Sequence, residues 1–147
     1  MKIISSKENK LIKKFRSLSV KKYREQFGLY LIEGEKVVLE ALKTGSIVDS
    51  LLVLEGYLSE IINKISNETN VYVLSKDVYY TIANTNSPQK VMAVVKKSAP
   101  KEIQKADKYL VLDHIQDPGN LGTIIRSSVA FGYNNIILID SVDPYND

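Results

Sequence analysis

Short apolar runs alternate with amphipathic segments along the first two-thirds of the chain. LYLIE (Leu29 to Glu33), IVDSLLVL (Ile47 to Leu54), VYVL (Val71 to Leu74) and VMAVV (Val91 to Val95) are brief, apolar and rich in β-branched residues, which predicts strands. Between them, EKVVLEALKTG reads as a helix stopped by Gly45, and YLSEIINKIS and SKDVYYTIAN read as helices capped by Ser59 or Ser75. Near the amino terminus, a helix from about Lys7 to Leu18 would gather Leu11, Phe15 and Leu18 on one face and turn Lys10, Lys13 and Arg16 elsewhere. This alternation predicts a small α/β sandwich over residues 1–96. The stretch KKSAPKEIQKADK, Lys96 to Lys108, has no apolar period, so residues 97–108 are expected to form a linker. Beyond it, YLVLD and NIILID predict neighbouring parallel strands joined by a right-handed crossover helix from Leu121 to Phe131, the opening of a doubly wound sheet over residues 109–147. Two strands alone would leave an edge and a face uncovered, an arrangement expected to be poorly ordered, swapped or dimeric.

Composition narrows the chemistry. A 44% hydrophobic share and 25% charge mark an ordinary globular chain. No apolar run approaches the ~18 residues of a membrane span, and the lysine-rich start lacks the apolar core of a secretory signal. Cysteine is absent, which excludes disulfide scaffolds and thiolate metal sites and accords with a cytoplasmic location without membrane partners. His114 is the single histidine, so metal sites built on histidine clusters are not expected, and His114 reads as a packing or hydrogen-bonding residue at a strand end. The net charge of +3 is unevenly spread. Residues 1–24 hold seven lysines and two arginines against one glutamate, a net of +8, so the remainder carries −5. Lys10, Lys13, Arg16, Lys21, Lys22 and Arg24 thus form a basic region suited to RNA phosphates, or equally a solvated helix face.

Candidate chemistry concentrates between Asp113 and Asp140. Asp117, Pro118 and Gly119 predict a tight turn, with Pro118 setting φ near −65° and Gly119 free to take a positive φ. Asn120 would then be the N-cap, Leu121, Gly122 and Thr123 the first helical residues, and Gly132 the terminating glycine after Phe131. From that cap, Arg126 lies roughly 9 Å along the axis, so its long side chain can reach back toward Asn120 and the Gly122 backbone. No G-x-G-x-x-G follows a strand and no G-K-[ST] loop is present, which removes the usual support for dinucleotide and nucleoside-triphosphate binding.

The run DHIQDPGNLGTIIRSSVAFGYNNIILID resembles motif 1 of the SpoU (TrmH-like) branch of SPOUT RNA methyltransferases, matching D-P-x-N-x-G-x-I-x-R at Asp117, Pro118, Asn120, Gly122, Ile124 and Arg126. KYREQFGLYLIEGEKVVLEAL (Lys22 to Leu42) and NTNSPQKVMAVV (Asn84 to Val95) resemble the amino-terminal substrate-binding domain of many members. The resemblance implies a ribosomal-protein-like RNA-binding domain followed by the start of a knotted methyltransferase domain. It implies transfer of a methyl group from S-adenosylmethionine to a ribose 2′-hydroxyl of ribosomal or transfer RNA, by an enzyme that is a homodimer when complete. Arg126 would stabilise the developing charge or hold the adjacent phosphate, since an arginine is a poor base. Asn120 would orient the turn or the ribose, and Gly122 would let RNA approach the backbone.

In this family the donor is held by two later motifs, and from Lys108 onward only 40 residues remain. The chain is therefore expected to be a fragment, inactive alone, whose donor-binding residues lie elsewhere. Competing with the enzyme is an RNA-binding module that works through the first domain without catalysis. The loop Asn84, Thr85, Asn86, Ser87 and Gln89 is suited to unstacked bases. Glu33 and Glu35 flank Gly34 at a strand-to-helix junction, either as a substrate-facing loop or as a turn with a favourable charge near a helix start. Tyr79 and Tyr80 read as core or boundary residues, with base stacking as the alternative.

Overall fold

The computed structural model describes residues 2–57, 60–83, 88–98, 103, 105 and 107–145. The chain divides into two compact units, residues 1–97 and 98–146.

In the first unit, strands β1 (Lys2–Ile4), β2 (Leu29–Glu33), β3 (Val48–Leu54), β4 (Asn70–Leu74) and β5 (Val91–Lys96) form one mixed sheet in the order β1-β4-β3-β5-β2. β3 pairs with β4 and β4 with β1 in parallel, whereas β5 runs antiparallel to both β2 and β3. The central strands are buried on both faces, which explains their near-continuous apolar runs. Along β5, Met92 and Val94 join one core with Ile12, Phe15, Leu18, Leu29, Leu31 and Tyr79. Val91, Ala93 and Val95 join the opposite core with Val38, Leu51, Val53 and Ile61. The period of two in the sheet thus sorts one apolar strand between two helical layers.

Two helices follow the expected periodicity, and a third, expected over SKDVYYTIAN, is shorter than expected. Helix α1 (Lys10–Ser17) starts at Asn9, whose side chain accepts from the Leu11 N–H at 2.9 Å, and it buries Ile12 and Phe15. Helix α3 (Glu35–Lys43) ends at Thr44, with Gly45 at φ 77° beyond it. Helix α4 (Lys76–Tyr79) places Ser75 at its cap position without a side-chain cap bond, so the capping expected there is not made. The segment expected as a helix around YLSEIINKIS forms only a 3₁₀ turn, Glu60–Asn63, which buries Ile61; Ser59 lies outside the described residues. Strand β1 and helix α2 (Lys21–Phe27) were not expected as separate elements. β1 is too short for a period to show, and α2 is held by a tertiary contact described below.

In the second unit, β6 (Leu110–Asp113) and β7 (Ile136–Ile139) pair in parallel across helix α5 (Pro118–Ala130), as the sequence pattern requires. Leu121 and Ser128 are buried beneath the helix, and Ser128 Oγ returns a hydrogen bond to the Ile124 carbonyl at 2.9 Å.

Candidate functional site

The entry to α5 differs from the expected geometry by one turn of chain. Asp117, not Asn120, is the N-cap, and its Oδ1 accepts from the Asn120 N–H at 2.6 Å. Pro118 opens the helix, where a missing N–H costs nothing. Gly119 lies inside the helix and takes no positive φ. Its role is spatial, because a Cβ there would sit 3.2 Å from Asp117 Oδ1 and crowd the cap. Asp117 wins because a carboxylate is the better acceptor for the first free N–H groups and is favoured by the positive end of the helix dipole. Asn120 consequently keeps its side chain for something else and is exposed. At the other end of α5, Gly132 takes φ 80° after Phe131, as expected of a terminating glycine.

Arg126 does fold back along the helix. Its Nη1 is 3.6 Å from where a Gly122 Cβ would stand, and Nη2 donates to Thr123 Oγ1 at 3.3 Å. Thr123 Oγ1 itself donates to the Gly119 carbonyl at 2.9 Å. Gly122 and Arg126, four residues apart, thus share one face of α5, whereas Asn120, two residues before Gly122, points away from that face, and Arg126 has no carboxylate partner among the described residues. Thr123, which positions the guanidinium, was missed in the sequence; its spacing of three residues from Arg126 on one helix was the available signal.

The carboxyl ends of β6 and β7 are laced together. Ser141 Oγ accepts from the Ile115 N–H at 3.1 Å and donates to the Ile139 carbonyl at 2.9 Å, while Gln116 Nε2 donates to the Asp140 carbonyl at 2.9 Å. Both loops turn through residues of positive φ, His114 at 57° and Asp140 at 42°. His114 Nδ1 lies 2.6 Å from Asp113 Oδ1 on the exposed surface, so the single histidine is a strand-end residue. Ser141 carried no sequence signal, because Ile115 is 26 residues away.

In the first unit the basic residues separate into two kinds. Lys10, Lys13, Arg16, Lys21 and Lys22 are exposed. Lys13 is paired with Glu8 at 2.5 Å, and this contact lowers the Glu8 carboxyl below its ordinary range. Arg24, expected at the RNA surface, is 3% exposed: its Nη1 donates to the carbonyls of Leu18 at 2.8 Å and Ser19 at 2.9 Å. Free carbonyls at the end of α1 need donors, and Arg24 supplies them from α2, so its role is structural.

Glu33 and Gln89 meet at one edge of the sheet, where Glu33 Oε1 accepts from the Gln89 N–H at 2.5 Å. Gly34 donates its N–H to the Val91 carbonyl at 2.9 Å, and its φ of 103° is what favours glycine there, since a Cβ would meet Gln89 Cγ at an ordinary 3.5 Å. Beside them Glu35, Tyr57, Pro88, Gln89, Lys90 and Val91 line a recess of about 320 Å³. Tyr57 donates to Glu35 Oε2 at 3.1 Å, which together with burial raises the phenol's pKa, and Lys90 Nζ lies 5.3 Å from the Tyr57 ring centre. Tyr79 is fully buried and donates to the Gln89 carbonyl at 2.7 Å, a core residue and not a stacking surface. Asn84 and residues 85–87, expected to contact bases, lie outside the described residues.

A mixed-sheet α/β unit with an exposed basic helical edge, followed by a unit that opens a parallel sheet around an arginine-bearing helix entry, defines a two-unit α/β protein. Residues 9–93 match the MRM3-like substrate binding domain and residues 107–147 match the SpoU rRNA methylase family. The chain belongs to the SpoU rRNA methylase family and carries an MRM3-like substrate binding domain. It is 37% identical over 147 residues to the 23S rRNA (guanosine(2553)-2′-O)-methyltransferase RlmP of Bacillus subtilis, covering 99% of this chain and 58% of that protein. An uncharacterized tRNA/rRNA methyltransferase of Synechocystis is 32% identical, with 96% of this chain and 54% of that protein covered. The AdoMet-bound rRNA methyltransferase structure from Sinorhizobium meliloti superposes with a TM-score of 0.82 at 29% identity, covering 99% of this chain and 57% of that one. The chain therefore spans a little over half the length of these relatives.

Proposed function

We propose that this protein is an RNA 2′-O-ribose methyltransferase that uses S-adenosylmethionine and acts on ribosomal or transfer RNA, in the cytoplasm and as a homodimer. The observation that carries the reading is the guanidinium of Arg126, folded back over Gly122 and held by Thr123 at an exposed helix entry. A fixed cation there stabilises negative charge as it develops on a ribose hydroxyl, or holds the phosphate beside it. Asn120, freed from capping by Asp117, orients the ribose, and the missing side chain at Gly122 lets the Arg126 guanidinium lie close over the helix, where the RNA backbone would meet it. Residues 1–96 hold the RNA through Lys10, Lys13, Arg16, Lys21 and Lys22, through the edge formed by Glu33 and Gln89, and through Asn84, and residues 97–108 join the two units.

When bound, S-adenosylmethionine supplies the methyl group on a sulfonium. The paired carboxyl ends of β6 and β7 are where open α/β sheets bind ligands, and the loops 114–116 and 140–142 are this chain's contribution at that edge. The bacterial relative methylates a guanosine of 23S rRNA by its name, which favours ribosomal RNA.

The test is transfer of a labelled methyl group to ribosomal RNA by the full-length protein and its Arg126→Ala variant. We expect kcat to fall by at least ~10²-fold, the scale for loss of one charge-stabilising donor, with RNA affinity changed far less. Near-normal turnover in the variant would remove Arg126 from the role. RNA binding without any methyl transfer by the wild type would favour a non-catalytic RNA-binding module.

A further inference from the structure

The α1–α2 corner of the first unit carries a feature that the basic residues alone do not explain. Tyr23 and Phe27, one turn apart on α2, lie nearly parallel at 16° with ring centres 6.2 Å apart. Over a third of each residue stays in solvent, 37% for Tyr23 and 36% for Phe27. Each ring also has a lysine above it: Lys14 Nζ from α1 lies 5.0 Å from the Phe27 centre, and Lys22 Nζ lies 5.9 Å from the Tyr23 centre. The corner is tied together by bonds from both helices. Buried Arg24, between the two aromatic residues in sequence, ties α2 to the last carbonyls of α1, and Glu25 on the next position is held by Lys97 at 2.6 Å.

We infer that Tyr23 and Phe27 form a stacking platform for one or two unpaired RNA bases, with Lys14 and Lys22 meeting the flanking phosphates. The inference rests on the RNA part of the proposed function and extends it from a phosphate-binding surface to one that selects unpaired nucleotides. Three observations converge on this occupant. Two partly exposed, nearly parallel rings offer an aromatic surface, and an aromatic face makes the same contact with every base. The surrounding charge is predominantly positive, +8 in residues 1–24, and the two nearby glutamates are each bound to a lysine, Glu8 to Lys13 and Glu25 to Lys97. A duplex hides its base faces, so rings flanked by cations suit single strands and loops, whereas cations alone would serve either form.

The experiment measures binding of the 147-residue chain to a single-stranded oligoadenylate of about 12 nucleotides, within the usual span of such sites, and to a duplex of equal length. The paired substitution Tyr23→Leu and Phe27→Leu keeps apolar volume and removes the π faces. We expect it to weaken single-strand binding roughly 5- to 150-fold, the range for one lost stacked base, while duplex affinity and the salt slope stay unchanged. A second variant, Phe27→Trp, keeps a stacking face and adds a fluorophore. Its emission should be quenched by the oligoadenylate and by far less with the duplex. Unchanged single-strand affinity in the double-leucine variant, absence of quenching in the tryptophan variant, or equal losses on single strand and duplex would each overturn the platform. Binding of poly-glutamate as strong as that of RNA would assign the surface to an acidic protein partner and also overturn it. Methyl transfer by the full-length protein is read separately, so a failed platform leaves the proposed activity standing, and a failed activity leaves the binding result intact.

Discussion

Glu33 and Gln89, 56 residues apart in sequence, are joined by a hydrogen bond from the Gln89 N–H to the Glu33 carboxylate. The same Gln89 backbone is held from the other side by the Tyr79 hydroxyl, so one peptide segment at the sheet edge is clamped between a strand end and a buried helix residue. Glu33→Ala should release the first clamp. We expect a stability loss of about 1 to 2 kcal/mol, for a charge-assisted bond at a partly exposed site, and faster hydrogen exchange at the Gln89 amide. Unaltered exchange would mean that Tyr79 alone holds the segment.

The second clamp gives a pH dependence. Burial first, and then the nearby Glu33 charge, push the Tyr79 phenol above the ordinary tyrosine value of about 10. A folded-state pKa raised above the unfolded one contributes stability that is complete below about pH 10 and is lost as pH rises beyond it. Urea titrations between neutral pH and about pH 11 should therefore show falling stability, and Tyr79→Phe should flatten that alkaline limb. At neutral pH the same variant should lose about 0.5 to 1.5 kcal/mol with the bond to the Gln89 carbonyl. An alkaline limb as steep in Tyr79→Phe as in the wild type would assign it to another group.

Arg24 is a stability residue by its contacts. Arg24→Ala leaves the Leu18 and Ser19 carbonyls without their donor and opens a hole between α1 and α2. The expected cost is about 1 to 3 kcal/mol, read as a lower urea midpoint with an unchanged m-value. A variant with wild-type stability and weakened RNA binding would return Arg24 to the RNA surface.

The exposed lysines and arginine of α1 should show themselves in salt dependence. Replacing Lys10, Lys13 and Arg16 together by Gln should reduce the log–log slope of single-strand RNA affinity by up to about 2, at about 0.7 per phosphate released. Because Lys13 is already paired with Glu8, Lys13→Gln alone should change the slope less than Lys10→Gln. Identical slopes in wild type and triple variant would make this helix a solvated face.

The sequence by itself determined the elements whose signal is local. Alternating apolar runs located β2 and β5, and the helix periodicity of α1 placed Phe15 and Leu18 inward and Lys10, Lys13 and Arg16 outward. Strand, helix and parallel strand were legible in the second unit because a helical crossover needs that spacing, and the four-residue spacing of Gly122 and Arg126 set them on one face of α5. What decided the rest was contact between residues distant in sequence. The identity of the cap at α5 followed from a choice between two acceptors one turn apart, each able to start the helix at its own position, which a pattern cannot resolve and the carboxylate wins. Arg24 reads as one more surface cation until the end of α1 turns its bare carbonyls toward α2. Tyr23 and Phe27 read as ordinary helix residues until the fold leaves them in solvent beneath two lysines. Burial and charge pairing depend on which surfaces the folded chain brings together, and that is settled by packing across the whole unit and not by neighbours along the chain.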